Sequence, residues 1–268
     1  MTAPPIVPVS PQTLSAIQAA LIEPSEILGL RTRQREEIHG QIVHDTIHRR
    51  DGWNRTYRIE LLGRVIGFGS IAIGGPWTDK PTIYEFYLLP EHRTEAFKSF
   101  ESFLSASGAT HFEVQTNDVL LTVMLHAYGR NFESERIIFS DQATTFHSVP
   151  GANLRQVTED PSIHAAIERR QGGGEWQLEL EGSVVGSGGI LFHYNRPYGD
   201  VYMDVAEPYR GCGLGRYLVQ ELKRECYRFG AIPCARCSTQ NLASRATLQA
   251  AGFVPFAHIV LAEVAVTP

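Results

Sequence analysis

Two stretches of the chain repeat one pattern of apolar and polar positions. Tyr57–Ile71 reads YRIELLGRVIGFGSI and Trp176–Ile190 reads WQLELEGSVVGSGGI, with seven identities in fifteen ungapped positions. Each copy is a pair of apolar runs hinged at a Gly-containing dipeptide, Leu62-Gly63 or Glu181-Gly182, which predicts a β-hairpin. The segments downstream of the two hairpins repeat as well. Tyr84–Pro90 and Val201–Pro208 read as strands ending in proline, and Phe97–Leu104 and Gly215–Phe229 have helical apolar spacing. Asn117 and Asn241 then each open a short helical stretch closed by Gly129 or Gly252. Ala231–Thr239 and Phe256–Val264 read as further strands in the second copy. One order of elements used twice predicts two domains of similar plan, 1–149 and 150–268, divided at the Pro150-Gly151 turn signal. The expected fold class is α/β, of the α+β type.

Composition excludes more than it specifies. At 268 residues, 43% hydrophobic and 20% charged, the chain can bury two cores and is neither disordered nor fibrous. Its 24 Lys and Arg against 29 Asp and Glu give a net charge of -5, so no basic footprint marks a nucleic acid or an anionic membrane as partner. Residues 1–150 carry -4 of that charge and the remainder -1, which places an anionic ligand better in the second half. No basic segment precedes an apolar run in Met1–Pro11, and no apolar stretch approaches ~18 residues. A cytoplasmic location is expected. Four cysteines are too few for a disulfide framework at this length.

The chemistry gathers after the strand Asp200–Val205. Glu207-Pro208-Tyr209 turns out of it into Arg210-Gly211-Cys212-Gly213-Leu214-Gly215-Arg216, and a helix starts there. A strand, a glycine-rich turn and a helix N-terminus form an anion cradle, because unpaired N–H groups and the positive end of the helix dipole face the turn. A Walker loop would end in Gly-Lys-Ser/Thr and a dinucleotide fingerprint would read G-x-G-x-x-G; neither spacing is present. The residues resemble the GNAT superfamily of N-acetyltransferases, whose pyrophosphate loop Arg/Gln-x-x-Gly-x-Gly/Ala is matched by Arg210-x-x-Gly213-x-Gly215. A second family element is matched by Asn241-Leu242-Ala243-Ser244 through Leu248 to Gly252-Phe253. The resemblance covers residues 150–268 and implies a mixed, mostly antiparallel sheet flanked by helices, with splayed central strands. By the repeat, residues 1–149 look like a second copy of that fold. Pro90–Ala96 occupies its loop position without a glycine and with Glu91 and Glu95, so this copy is expected to be degenerate and to bind no coenzyme.

The resemblance implies an acetyl-CoA-dependent transfer to a small-molecule or peptide amine, with no metal. The backbone from Gly211 to Arg216, including Cys212 and Leu214, would hold the coenzyme together with Arg210, Asn241 and Ser244. A backbone N–H near Val205 or Ala206 would meet the oxyanion. The amine has a pKa near ~10.4, so a carboxylate is expected to take its proton. Asp200, Tyr202 and Asp204 share one face of the strand, and the family's placement of a base favours Asp200 over Asp204. The family's acid, a tyrosine, is replaced by Leu248. Either the thiolate leaves unassisted or Tyr202, Tyr194 or Tyr198 supplies the proton.

Other readings are weaker. His44 and His48 have the i, i+4 spacing of a zinc site but lack the glutamate and a third ligand. Cys234-x-x-Cys237 lies in a strand without a second pair and reads as buried thiols. Cys212 would be covered by coenzyme, which favours direct transfer over an acyl-cysteine. A different class of function, a non-catalytic acyl-CoA sensor or scaffold, keeps the cradle and dispenses with chemistry, as Leu248 hints. The first copy is expected to wall the acceptor cleft with the segment carrying His44 and His48 and with Thr82–Leu89. Oligomeric state is left open.

Overall fold

The computed structural model describes residues 17–41, 47–48, 50–157, 172–192 and 195–265. His44 and Tyr194 lie outside them. The first half runs β1 (Ile17–Ile22), α1 (Leu28–Ile38), β2 (Asn54–Leu61), β3 (Arg64–Ala72), β4 (Thr82–Leu88), α2 (Ala96–Ser107), β5 (His111–Gln115), α3 (Val119–Tyr128) and β6 (Gly129–Asp141). The second runs β7 (Ala152–Gln156), β8 (Gly172–Leu180), β9 (Ser183–Leu191), β10 (Tyr198–Val205), α4 (Leu214–Arg228), β11 (Ile232–Ser238), α5 (Leu242–Ala250) and β12 (Phe253–Val264). The repeated hairpins are β2–β3 and β8–β9. Their turns have φ of 50° and 76° at Leu62-Gly63 and 50° and 82° at Glu181-Gly182, the doubly left-handed geometry that matches strand twist. Asp118 rather than Asn117 caps α3, its carboxylate accepting from the Leu121 N–H at 3.0 Å, whereas Asn241 caps α5 as the pattern predicts.

Among the described residues, all twelve strands join in one sheet, ordered β1-β2-β3-β4-β5-β12-β6-β11-β10-β9-β8-β7. The pairings β4–β5 and β10–β11 are parallel and the others antiparallel. Matching each strand to its repeat, β1 to β7 through β6 to β12, turns the order into itself read backwards. The halves are therefore related by an approximate two-fold axis between β6 and β12. Each half gives its last strand to the other: β12 lies against β5, and β6 lies against β11. The sheet thus crosses the linear boundary expected near residue 150.

Helices α2 and α3 bury Phe100, Phe103, Leu121 and Met124 against Phe86, Leu88 and Val114. Helix α4 buries Leu218, Leu222 and Cys226 against Leu178, Ile190, Val201 and Val205, and α5 adds Leu248 to a cluster with Phe139, Val219 and Phe253. Alternation along β12 sets the faces, with Val260 and Ala262 turned to the first core and Ile259 and Leu261 to the opposite side. Helices α2 to α5 thus cover one face. α1 lies on the other, beside Phe68 and Tyr87.

Lys223, on α4, is buried. Its ammonium donates to the carbonyls of Ala143 and Ala251 at 2.7 and 2.9 Å and pairs with Asp141 at 2.6 Å. These partners come from the end of β6 and the loop after α5, so the ammonium pins the exchanged strand to the second half. Lys223→Ala is expected to lower unfolding free energy by about 3–5 kcal/mol, since it strands a largely buried carboxylate and two carbonyls. Equilibrium denaturation measures this, and a loss within ~0.5 kcal/mol would refute the clamp.

Candidate active site

The strands β10 and β11 pair only from Tyr198–Asp200 to Ile232–Cys234 and then diverge. β10 is paired to β9 from Asp200 to Val205, and the Ala206 N–H donates to the Val185 carbonyl at 2.9 Å. Antiparallel ladders alternate, so the N–H groups of Met203 and Val205 point the other way, into the gap. This revises the expected oxyanion donors. The Ala206 N–H is already bonded, whereas those of Val205 and Met203 are directed to the gap.

A cavity of about 560 Å³ opens between this gap, α4 and α5. One wall is the α5 face Ala243, Ala246, Thr247 and Ala250, small residues at i, i+3, i+4 and i+7 that let a ligand approach the helix. The other wall is Met203, Asp204 and Val205, and the mouth is Arg210, Gly211, Gly213, Gly215 and Arg216. Gly213 is the N-cap of α4, at φ 81°, and offers no side chain to cap it. The first helical bond is Tyr217 N–H to Gly213 carbonyl, at 3.0 Å. The N–H groups of Leu214, Gly215 and Arg216 are therefore left without acceptors, which is the requirement for binding an anion. Arg216 Nε is also buried without a partner.

Several expected ligands act indirectly. Arg210 turns its guanidinium back on its own strand, Nε donating to the Val205 carbonyl at 2.8 Å and Nη2 lying 3.4 Å from Asp204. Arg93 does the same in the first half, donating to the Leu88 carbonyl at 3.2 Å, so the repeat has kept this latch while losing the glycines. The Leu214 side chain is in the core. Cys212 is exposed and does not line the cavity. Asn241 and Ser244 line it, although the Asn241 carbonyl oxygen is used to cap the Ser244 N–H at 2.9 Å.

Asp200 is the last residue of β10 paired to β11 and so sits at the vertex of the splay. It is buried, Oδ2 lies 3.3 Å from Arg236 Nε, and Oδ1 has no partner. Burial pushes its pKa up to about 6 against the opposing pull of Arg236 and Arg136. Asp204, its alternative, is exposed and faces Arg210. Arg236 also lines a groove of about 600 Å³ on the face opposite the cavity, whose walls include Trp77, Lys80, Thr82, Glu113 and Glu135. Thr82 belongs to the segment expected to wall an acceptor cleft, but Ile83–Leu88 is buried. His48 is also buried, bonded to Glu85 at 2.8 Å and Tyr84 at 2.8 Å. Burial opposes ionisation of Glu85, yet Arg31 and His48 outweigh it and hold its carboxyl well below the usual range. Arg31 of α1, Tyr84 and Glu85 of β4 and Asn54 of β2 thus surround His48, and it is not among the residues that line the groove.

No tyrosine lines the cavity among the described residues. Tyr202 lies over Gly189 with its hydroxyl 3.3 Å from Glu175. Tyr198 packs with Ile138 and Cys234 on the groove face, and burial raises its pKa. Leu248 is buried in the core. Cys234 and Cys237 are buried thiols whose pKa values burial raises.

Residues 138–253 match the sequence model of the acetyltransferase (GNAT) family. The second half carries a GNAT domain. The match begins inside β6, the strand contributed by the first half. No curated protein matches the chain in sequence. Among solved structures, a GNAT-family acetyltransferase from Colwellia psychrerythraea is 15% identical with a TM-score of 0.69, covering 92% of this chain and 99% of its own. A GCN5-related N-acetyltransferase from Sphaerobacter thermophilus is 14% identical with a TM-score of 0.59, covering 95% and 97%. A tandem GNAT protein from the clavulanic acid biosynthesis pathway is 12% identical with a TM-score of 0.59, covering 94% and 99%. These likenesses show that the GNAT fold extends over most of the chain, and the family match points to acyl transfer.

Sequence reasoning missed Arg236, Met203 and His147, which line the groove or the cavity. Arg236 could have been found from strand alternation once the parallel register beside Asp200 was known. His147 lies in the connection between halves and carries no local signal.

Proposed function

We propose that this protein is an acetyl-CoA-dependent N-acetyltransferase that acts by direct transfer on a primary amine of a small molecule or peptide. The observation that carries the reading is continuity: an uncapped helix N-terminus opens on a cavity that leads into a strand gap with a buried, half-satisfied carboxylate at its vertex. Bound acetyl-CoA supplies the acetyl group as a thioester. Leu214, Gly215 and Arg216 would hold its phosphates through backbone N–H groups, and the small α5 face would leave room for its arm. An N–H of Met203 or Val205 stabilises developing negative charge in the gap, a donor of this kind being worth about 3 kcal/mol. Asp200 pairs with Arg236, a wall of the groove from which the amine would enter, and Oδ1 would accept the proton of the amine. A pKa of about 6 makes Asp200 a base at neutral pH and a stronger proton acceptor than an ordinary surface aspartate.

Asp200→Asn is expected to lower kcat/KM by roughly 10² at neutral pH while leaving coenzyme affinity unchanged. The carboxylate is active once ionised, so the wild-type rate should rise with pH through a limb near its pKa of about 6, and the limb should vanish in the variant. A wild-type rate in Asp200→Asn would move the base to Asp204 or solvent. The second reading, a non-catalytic acyl-CoA sensor, draws on Leu248, which puts a core residue where the family has its acid. Steady free-thiol release from acetyl-CoA across a panel of amines separates the two, since a sensor releases none.

A further inference from the structure

We infer that His147, in the connection between the two halves, is a phosphate ligand of the coenzyme cradle; this rests on the coenzyme reading above. His147 lines the cavity, and a Cβ added to Gly213 would stand 2.6 Å from its Nε2. The imidazole therefore lies over the N-terminus of α4, beside the orphaned N–H groups of Leu214 to Arg216. Nε2 is itself buried with no hydrogen-bond partner. A buried ring nitrogen left unsatisfied is uncommon, and here it belongs to a side chain that lines a cavity whose other unsatisfied groups are donors. As the Nε2–H tautomer or the imidazolium, it donates in the same direction as they do.

The ring is held there through the backbone around it. Gln220 of α4 is buried, and its side-chain amide brackets His147: Oε1 accepts the His147 N–H at 2.6 Å and Nε2 donates to the His147 carbonyl at 3.0 Å. Thr145 donates to the same Oε1 at 2.9 Å. Gln220 is thus a positioning residue that fixes the connection against α4 and sets the imidazole over the cradle. The contact is assigned to the pyrophosphate rather than the 3′-phosphate, because Nε2 stands at the helix N-terminus itself. The cradle then takes one of its donors from the connection between the two halves.

Calorimetric titration of the full-length protein with CoA and with dephospho-CoA, which lacks the 3′-phosphate, tests the assignment without any turnover. His147→Ala should weaken both ligands by the same factor, roughly 10-fold or more, the scale of a hydrogen bond to a charged group. His147→Gln, which keeps a donor of similar reach, should recover part of the loss. Gln220→Met should weaken both ligands too, and should add little in combination with His147→Ala. Unchanged affinity in His147→Ala overturns the inference. A loss seen with CoA and absent with dephospho-CoA overturns the pyrophosphate assignment. Failure of the wild type to bind either ligand overturns the coenzyme reading instead.

Discussion

Gly213→Glu is expected to abolish coenzyme binding, while Glu91→Ala in the corresponding loop of the first half leaves it intact. Three effects act together at Gly213. Its φ of 81° is a left-handed conformation that costs an ordinary residue about 1–2 kcal/mol. Any Cβ would press against His147 Nε2 at 2.6 Å. The new carboxylate would occupy the mouth of the cavity, beside the α4 N–H groups, and repel a phosphate at close range in a poorly solvated site. The corresponding place in the first half offers none of this. Pro90–Glu95 forms a 3-10 turn that runs straight into α2, and Arg93 is tied to Glu37 at 2.6 Å. The matching cavity, lined by Glu37, Tyr87, Arg93 and Asp118, holds only about 200 Å³. Titration should therefore find one coenzyme per chain. Two equivalent sites, or binding lost in Glu91→Ala and kept in Gly213→Glu, would show that the live half has been misassigned.

The sequence made local features legible where local chemistry decides them. The hairpin turns are written in Gly63 and Gly182, since glycine enters the left-handed region freely, whereas Leu62 and Glu181 each hold a φ of 50° beside them at a cost. The cradle is legible for the same reason, since glycines in a strand-to-helix turn leave few uses other than close approach. Partners distant in sequence were not legible. Lys223 looks like one more charge on an amphipathic helix until Asp141 and the Ala143 and Ala251 carbonyls are brought to it. The exchange of β6 and β12 is hidden similarly, because each strand has apolar positions that would serve either half and nothing in its own residues names the neighbour. Asp200 was visible as a carboxylate on the right face. Its burial, its contact with Arg236 and its raised pKa come from β11, whose register no motif encodes.

Residues 150–268 expressed alone are expected to aggregate or to self-associate, and to lose coenzyme affinity, whereas residues 129–268 should be soluble and should bind coenzyme. The difference between the fragments contains β6. Without it, β11 loses its partner along Cys234–Ser238 and β12 loses its partner along nearly its whole length, leaving long unpaired edges in the middle of what was a sheet. Ile137 and Phe139 vanish from the cluster that holds Leu248 and Phe253, exposing apolar surface under α5. Lys223 loses Asp141 and the Ala143 carbonyl, and Gln220 loses the backbone of His147, so the cradle is loosened as well. The longer fragment restores every one of these contacts and leaves open the edge of β12 that faced β5 and the Val260 and Ala262 positions that met the first core. Both fragments lack the groove wall of Trp77, Lys80 and Thr82, so neither should turn over the amine at the full-length rate. Size-exclusion chromatography and coenzyme titration of the two fragments separate the outcomes. A soluble monomeric 150–268 with full-length affinity would mean that the exchanged strand is dispensable and that the halves are independent domains.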